Sequence, residues 1–134
     1  MKAKVLIFTF LLIAIMSFAQ SQTRQINPDQ QKLISESTIY QLFPTQNFWT
    51  FIKLDTRNGK MWQIHFSVKD DGEQGELVLN PLPLVDKDKE VNGRFTLYAT
   101  ENIYNFLLLD QIDGNVYQAQ WSMEAKYRGV TPIK

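Results

Sequence analysis

From Thr38 onward, β-branched and aromatic residues alternate with polar ones, a pattern that is typical of β-strands. Residues 20–36 are polar and lack an apolar face, and residues 80–93 hold two prolines and a run of charges. Because proline removes a hydrogen-bond donor from a sheet, we interpret 80–93 as a connection. The alternation predicts strands at about residues 38–43, 48–55, 60–68, 94–98, 103–110 and 115–123, and the stretch ELVLN at 76–80 is a further strand candidate.

The predicted strands fall into two units of equal length, 40–68 and 95–123, which align without a gap. The first reads YQLFPTQNFWTFIKLDTRNGKMWQIHFSV and the second FTLYATENIYNFLLLDQIDGNVYQAQWSM, so residues 55 positions apart are counterparts. A fixed register over a whole supersecondary unit indicates an internal repeat. The identical counterparts are Leu42/Leu97, Thr45/Thr100, Asn47/Asn102, Phe51/Phe106, Leu54/Leu109, Asp55/Asp110, Gly59/Gly114, Gln63/Gln118 and Ser67/Ser122.

Each unit is predicted to be a three-stranded antiparallel meander. The middle strand of the first unit is apolar on both faces, with Phe48, Ile52 and Leu54 on one side and Trp49 and Phe51 on the other, which predicts a strand covered on both sides. The third strand alternates. Its apolar side holds Trp62, Ile64, Phe66 and Val68, and its other side holds Met61, Gln63, His65 and Ser67.

The middle and third strands of each unit are joined by the pattern D-x-x-x-G, at Asp55 to Gly59 and Asp110 to Gly114. This spacing suits a type I turn that is closed by a glycine with positive φ. The aspartate at its start can accept hydrogen bonds from backbone N–H groups inside the turn. Both patterns therefore predict a β-hairpin.

The repeated unit resembles small exported proteins of Bacteroidetes-type bacteria, which carry runs similar to LYxTxNxYxFLLLDxxxGxxWQxQWS. The resemblance covers about residues 38–123, and the first unit departs from it at Lys53, His65 and Phe66. It implies a duplicated hairpin and export, and it implies no established activity. The residues that carry it are Leu54, Asp55, Gly59 and Trp62 in the first unit and Leu109, Asp110, Gly114 and Tyr117 in the second.

One such unit cannot bury its own hydrophobic face, whereas two units together can. We therefore expect an all-β domain over residues 38–134, with repeats at about 38–79 and 92–126. The two pseudo-symmetric three-stranded meanders are expected to pack as a small sandwich, an open barrel or a pair of propeller-like blades. Two units are few for a repeat fold, so self-association is a further expectation.

The amino terminus has the features of a signal peptide, with a basic start at Lys2 and Lys4 and an apolar run over residues 5–19. Ser17 and Ala19 have the spacing of a signal peptidase site, so we predict cleavage after Ala19 and a mature start at Gln20. The alternative is a retained anchor, but the run of 15 residues is shorter than the roughly 20 that span a bilayer. Residues 1–19 are thus expected to be a signal peptide and 20–37 a flexible polar leader, in a periplasmic or secreted protein without a membrane span.

The charge and composition of the chain make some classes of partner and cofactor unfavourable. Removing Lys2 and Lys4 from 14 basic residues leaves 12 against 14 acidic ones, a net charge of −2. So weak a field does not favour a nucleic acid partner. The chain has no cysteine and a single histidine, so we predict neither a zinc site nor any other cofactor. The stretch DQIDG lacks the spacing of a calcium loop, and we interpret it as a turn.

No catalytic residue is predicted. His65 would be the base of a Ser-His-Asp arrangement, but its counterpart is Gln120, and no G-x-S-x-G motif accompanies it. Asp55 and Asp110 would be the paired acids of a hydrolase, for which a chain of hairpins offers little room.

One polar stripe recurs in both units, and it is the candidate ligand or partner surface. The simplest interpretation is the outward face of a one-sided sheet, because alternation alone explains it. Amides beside aromatic residues also suit a carbohydrate or a protein partner. The function expected first is an exported, non-enzymatic binding or interaction module, then a structural or accessory subunit of an envelope assembly, and last a small hydrolase. The stripe consists of Gln63, His65, Ser67, Gln118, Gln120 and Ser122.

Overall fold

A computed structural model describes residues 38–134, in which eight strands form two four-stranded antiparallel sheets. Sheet 1 has the order β1-β2-β3-β4 and sheet 2 the order β5-β6-β7-β8, so each sheet is a simple meander. Short 3₁₀ helices lie at Lys87–Lys89 and Ala125–Tyr127. The strands are β1 (Tyr40–Pro44), β2 (Thr50–Asp55), β3 (Met61–His65), β4 (Gly75–Asn80), β5 (Phe95–Ala99), β6 (Asn105–Asp110), β7 (Val116–Gln120) and β8 (Gly129–Pro132).

The all-β antiparallel fold is confirmed, and the two sheets stack as a small sandwich. Each unit has four strands rather than the three predicted, because β4 and β8 each add an edge strand. The strand β4 matches the candidate at 76–80, whereas the short β8, with a glycine and a proline, carries little strand signal. The predicted signal peptide and leader, residues 1–37, lie outside the described residues.

The identical Thr and Asn residues of the repeats hold the loop that enters the middle strand. Thr45 Oγ1 donates to the Thr50 carbonyl at 2.9 Å, and Asn47 Oδ1 accepts from the Trp49 N–H at 2.9 Å. In the second unit the same two bonds have lengths of 2.9 and 3.0 Å, from Thr100 to the Asn105 carbonyl and from the Tyr104 N–H to Asn102. Local side-chain to backbone bonds of this kind fix a loop without help from the core.

The hairpin prediction is confirmed in both units. Gly59 and Gly114 have φ values of +79° and +75°, a region that side chains with a Cβ rarely occupy. Asp55 Oδ1 accepts from the Arg57 N–H at 3.0 Å, and Asp110 Oδ1 accepts from the Ile112 N–H at 3.0 Å. The repeated aspartate and glycine are therefore explained by the turn alone.

The first hairpin also anchors the second unit. The Thr56 carbonyl accepts from the Phe95 N–H at 2.7 Å, and Thr56 Oγ1 accepts from the Gly93 N–H at 3.0 Å. Thr56 is fully buried between the two units. These bonds set where β5 begins and therefore how sheet 2 lies on sheet 1.

The two sheets share one hydrophobic core, yet they contribute opposite faces of the repeat to it. The inner face of sheet 1 supplies Ile52, Leu54 and Met61, whose counterparts in sheet 2 are Leu107, Leu109 and Val116. None of these counterparts is in the core, and Leu107 is exposed. The inner face of sheet 2 supplies Phe95, Leu97, Phe106, Leu108, Ala119 and Trp121.

The inner face of sheet 1 therefore packs on the face of sheet 2 whose counterpart in sheet 1 points outward, and we call this arrangement front-to-back stacking. It corrects two predictions about burial. Phe51 was expected in the core as the counterpart of Phe106, but it is only half-buried because it lies on the outer face of sheet 1. Phe48 was expected on the buried side of the middle strand, but it lies in the loop before β2 and is 87% exposed.

Candidate functional site

A cleft of about 790 Å³ opens between the two sheets where β3 and β7 end. Its volume lies within the range of small-ligand sites, roughly 300–1,000 Å³. Sheet 1 supplies one wall and sheet 2 the other, each through the end of its third strand and the residues that follow. Its lining includes the polar residues His65, Ser67, Gln120 and Ser122, the aromatic residues Trp49, Phe66, Tyr104, Trp121 and Tyr127, and the charged residues Lys69, Glu73 and Glu124.

The structure brings four of the six stripe residues to this cleft and separates the other two from it. His65, Ser67, Gln120 and Ser122 line it. Gln118 lies on the outer face of sheet 2, where it is exposed and donates to Asn105 Oδ1 at 2.7 Å. The stripe is therefore not one continuous surface.

The prediction of an outward polar face is wrong for Gln63, whose side chain is 0% exposed. Gln63 shares the inner face of sheet 1 with Met61, and sheet 2 covers that face. The apolar side of the same strand, with Trp62 and Ile64, stays half-buried on the outer face. Which side is buried follows from the front-to-back stacking and not from polarity.

Gln63 joins the two sheets behind the cleft. Its Oε1 accepts from the Ser122 N–H at 3.2 Å, and its Nε2 lies 2.9 Å from His65 Nε2. Because the amide nitrogen of Gln63 donates, His65 Nε2 accepts, and the proton of a neutral His65 sits on Nδ1, 3.1 Å from Thr50 Oγ1. The side chains of Thr50, His65 and Gln63 thus form a chain of hydrogen bonds that ends on sheet 2.

The surroundings of His65 favour its neutral form. Burial lowers the pKa of His65 below its usual 6.5, and the positive charge of Arg128 lowers it further, while Glu73 acts in the opposite direction. Arg128 Nε is buried and has no hydrogen-bond partner among residues 38–134. At neutral pH the cleft therefore presents an uncharged imidazole.

Two aromatic pairs lie at the cleft, and they are counterparts of each other. The ring centroids of Trp49 and Phe66 are 5.4 Å apart, and those of Tyr104 and Trp121 are 5.2 Å apart. Trp121 is buried and donates from Nε1 to the Ile103 carbonyl at 2.8 Å. Trp49, Tyr104 and Tyr127 are each about half-exposed, so part of each ring is open to a ligand.

The charges at the cleft nearly cancel. Lys69, Glu73 and Glu124 line it, and Glu124 forms an exposed ion pair with Lys126 at 3.1 Å. With a neutral His65, the cations Lys69, Lys126 and Arg128 face the carboxylates of Glu73 and Glu124, so no strong field of either sign remains to select a charged ligand.

The two repeated aspartates lie in the hairpins, where arginines bind them in bidentate geometry. Arg57 Nε and Nη2 contact the carboxylate of Asp55 at 3.0 and 2.7 Å, and Arg94 Nε and Nη2 contact that of Asp110 at 3.0 and 2.8 Å. Burial alone would raise the pKa of both carboxyls, but these bonds and the N–H groups of the turns lower it below 3.8. Both groups are therefore carboxylates at neutral pH.

The second aspartate of the stretch DQIDG also binds Arg94, with Asp113 Oδ2 at 2.5 Å from Nη2. Within residues 38–134, no three or more His, Cys, Asp or Glu side chains lie close enough together to hold a metal ion. In the same part of the chain, no helix has the length and apolar character that crossing a membrane requires.

Sequence reasoning missed the aromatic and charged members of the cleft. The retained aromatic character at Trp49/Tyr104 and Phe66/Trp121 was a usable signal, because these positions keep an aromatic ring in both units. Arg128 carried no signal, because its position depends on the unpredicted turn into β8. No family model matches this chain, and comparison with curated proteins and with solved structures found no match either.

Proposed function

We propose that this protein is an exported, non-enzymatic binding module that takes a short neutral saccharide into the cleft between β3 and β7. The observation that carries the proposal is the pairing of half-exposed aromatic rings with uncharged hydrogen-bonding groups in one concave site. Trp49, Tyr104 and Tyr127 offer ring faces, and His65, Gln120 and Ser122 offer donors and acceptors.

The chemistry of these groups favours a saccharide over a charged ligand. The C–H face of a pyranose is apolar and packs on an aromatic ring, while its hydroxyl groups need both donors and acceptors. Amide, hydroxyl and neutral imidazole groups supply both. The near cancellation of charge around the cleft gives an anion or a cation no advantage.

The structural observations give less support to two other functions. A hydrolase with paired acids needs one carboxyl that keeps its proton near neutral pH, and the pKa of both Asp55 and Asp110 is lowered rather than raised. A structural or accessory subunit of an envelope assembly is favoured by one feature, the exposed apolar side of sheet 1.

Binding is tested by titrating the protein with neutral tetrasaccharides of β-linked glucose, N-acetylglucosamine, xylose and mannose, read by tryptophan fluorescence and calorimetry. We expect one of these probes to bind at one site per chain. The matched variants are Trp49→Ala, at the cleft, and Trp62→Ala, on the outer face of sheet 1. The first should weaken binding by about tenfold or more, and the second should leave it unchanged.

The polar groups are tested by one substitution made at two positions on the same strand. Gln120→Thr changes a residue of the cleft, and Gln118→Thr changes an exposed residue of the outer face. Only the first should weaken binding, by roughly 5- to 100-fold for a polar group of the ligand left unpaired. Equal effects of the two variants, or binding of uncharged peptides in place of every saccharide, would overturn the proposal.

Export is tested separately by sequencing the amino terminus of the protein from the producing cell. A start at Gln20 is expected, since Ser17 and Ala19, at the end of the apolar run, have the spacing of a signal peptidase site. A chain that still begins with Met1 would contradict this part of the proposal without affecting the cleft.

A further inference from the structure

Sheet 1 carries an apolar surface that no other part of residues 38–134 covers, which we call the outer face of sheet 1. Leu42 is 61% exposed and Tyr40 51%, whereas the other aromatic rings of this face are half-buried or nearly so. Its one cation, Lys53, pairs with Glu76 at 2.6 Å, and Nζ lies 4.6 Å from the centroid of Trp62. The outer face of sheet 1 consists of Tyr40, Leu42, Phe51, Lys53, Trp62, Ile64 and Phe66, together with Glu76 and Val78 of the edge strand β4.

The internal repeat shows what packs on such a face, because most of its counterparts are buried. In sheet 2 these counterparts form the inner face, and they contact the inner face of sheet 1 within the shared core. The surface left open on sheet 1 is therefore the same surface that sheet 2 buries. The pairs are Tyr40/Phe95, Leu42/Leu97, Phe51/Phe106, Lys53/Leu108, Ile64/Ala119 and Phe66/Trp121.

The surface that would complete the outer face of sheet 1 also exists on this chain. The inner face of sheet 1, which covers sheet 2, is built on Ile52, Leu54, Met61 and Gln63. Its counterparts are Leu107, Leu109, Val116 and Gln118, and they form the outer face of sheet 2. Both halves of the internal junction are thus present a second time, at opposite ends of the molecule.

We propose that a second copy of this chain packs the outer face of its sheet 2 on the outer face of sheet 1, so that the junction between copies repeats the junction inside each copy. The contact is heterologous, because two different surfaces meet. It generates a ring if the rotation between sheets closes and a filament if it does not. A ring of two to four copies would hold four to eight four-stranded sheets, the range found in β-propellers.

The one charged substitution in the repeated surface is compatible with this contact. Lys53 stands where Leu108 stands in the buried surface, but its charge is paired with Glu76 and its stem lies along Trp62. Gln118 would lie in the new junction as Gln63 lies in the internal one. The other candidate cover, residues 20–37, is polar and lacks an apolar face, so it is poorly suited to an apolar surface.

Cross-linking between two single-cysteine variants distinguishes this arrangement from others, because the chain has no native cysteine. Leu42→Cys labels the outer face of sheet 1, and Leu107→Cys labels the outer face of sheet 2. Their counterparts, Leu97 and Ile52, lie in one core. In the mature chain at micromolar concentration, a mixture of the two variants should form mixed disulfide dimers under mild oxidation, and each variant alone should not.

Three results would overturn the proposal. Dimers of Leu42→Cys alone would mean that like faces meet, and no cross-link in the mixture would mean that the copies do not meet through these faces. Protection of the Leu42→Cys thiol from a maleimide in dilute, monomeric protein would mean that residues of the same chain cover the face.

A second measurement keeps the test independent of the thiols. Mass by light scattering should show assemblies that dissociate on dilution, and Leu42→Lys should shift their midpoint to about tenfold higher concentration or more. Leu82→Lys is the control, since Leu82 is 69% exposed and belongs to the connection between the sheets and not to a strand of either face. Because the cleft lies within one chain, saccharide binding by a monomeric variant would leave the proposed function intact.

Discussion

The two repeats have the same meander and nine identical counterparts, yet they bury opposite faces. Identities that serve the backbone behave alike in both units. The Thr and Asn of the entry loop make the same bonds, and the turn glycines share positive φ. Identical residues on the faces of the sheets do not behave alike in the two units. Gln63 is fully buried and Gln118 is exposed. A repeated sequence therefore encodes a repeated local fold, while the stacking decides what each face does.

The largest expected difference in stability comes from replacing phenylalanine by alanine at the same position of the two middle strands. Phe106 is 4% exposed and lies in the shared core, so Phe106→Ala should lower the free energy of unfolding by about 3–5 kcal/mol. Phe51 lies on the outer face of sheet 1 and is half-buried, so Phe51→Ala should cost about 1–2 kcal/mol in dilute protein. Urea denaturation measures both. Equal losses would mean that the two faces are equally covered in the single chain.

The two aspartate–arginine pairs give the next largest contrast. The side chains of Arg94 and Asp110 are 4% and 1% exposed, so Asp110→Asn leaves a buried guanidinium that only Asp113 still pairs. We expect a loss of about 3 kcal/mol, the low end for breaking a buried ion pair. Arg57 is 32% exposed and can turn to water, so Asp55→Asn should cost about 1 kcal/mol.

The control for both variants is Asp70→Asn, an exposed aspartate in the turn before β4, which should change stability by less than about 0.5 kcal/mol. A larger loss for Asp55→Asn than for Asp110→Asn would contradict the assignment of Arg94 as the buried partner.

These contrasts mark what the sequence could and could not predict. The loops and hairpins were predictable because residues such as Asp55 and Gly59 act on their own backbone. The stacking was not, because the middle strand of each unit is apolar on both sides and alternation cannot choose between them. The site depends on that choice. His65 and Gln120 line the cleft because both lie at the ends of their strands, whereas the front-to-back stacking buries Gln63 and leaves Gln118 exposed on the outer face of sheet 2.

The turn glycines should differ as well, by a smaller amount. Adding a Cβ at either position strains the backbone because φ is positive, and for alanine this lowers the free energy of unfolding by about 1 kcal/mol. A Cβ on Gly59 would also lie 2.8 Å from Leu84 Cδ1, whereas at Gly114 no atom of the described residues lies within 4 Å. We expect losses of about 2 kcal/mol for Gly59→Ala and about 1 kcal/mol for Gly114→Ala. Gly75→Ala, which has neither strain nor contact, is the control.

The smallest expected effect concerns the counterparts His65 and Gln120, and it appears only as a dependence on pH. Because burial and the charge of Arg128 lower the pKa of folded His65 below its unfolded value of 6.5, the unfolded chain binds the proton more readily. The resulting contribution to stability is complete above pH 6.5 and is lost as the pH falls through the folded pKa. Protonation would also set an N–H of His65 against the Nε2 of Gln63, which bridges to Ser122 of sheet 2.

His65→Gln, which installs the residue of the second unit, removes this titration and keeps an amide that can bond to Thr50. The folded pKa of Asp55 and Asp110 is also lowered, but their contributions are lost only below their unfolded value of 3.8, so the two windows do not overlap. Urea midpoints measured between pH 7.5 and 4.5 should therefore fall more steeply for the native chain than for His65→Gln, and Gln120→His should not steepen them comparably, since Gln63 has no equivalent behind that position. Parallel profiles for the native chain and His65→Gln would show that the bond from Gln63 to sheet 2 does not depend on a neutral imidazole.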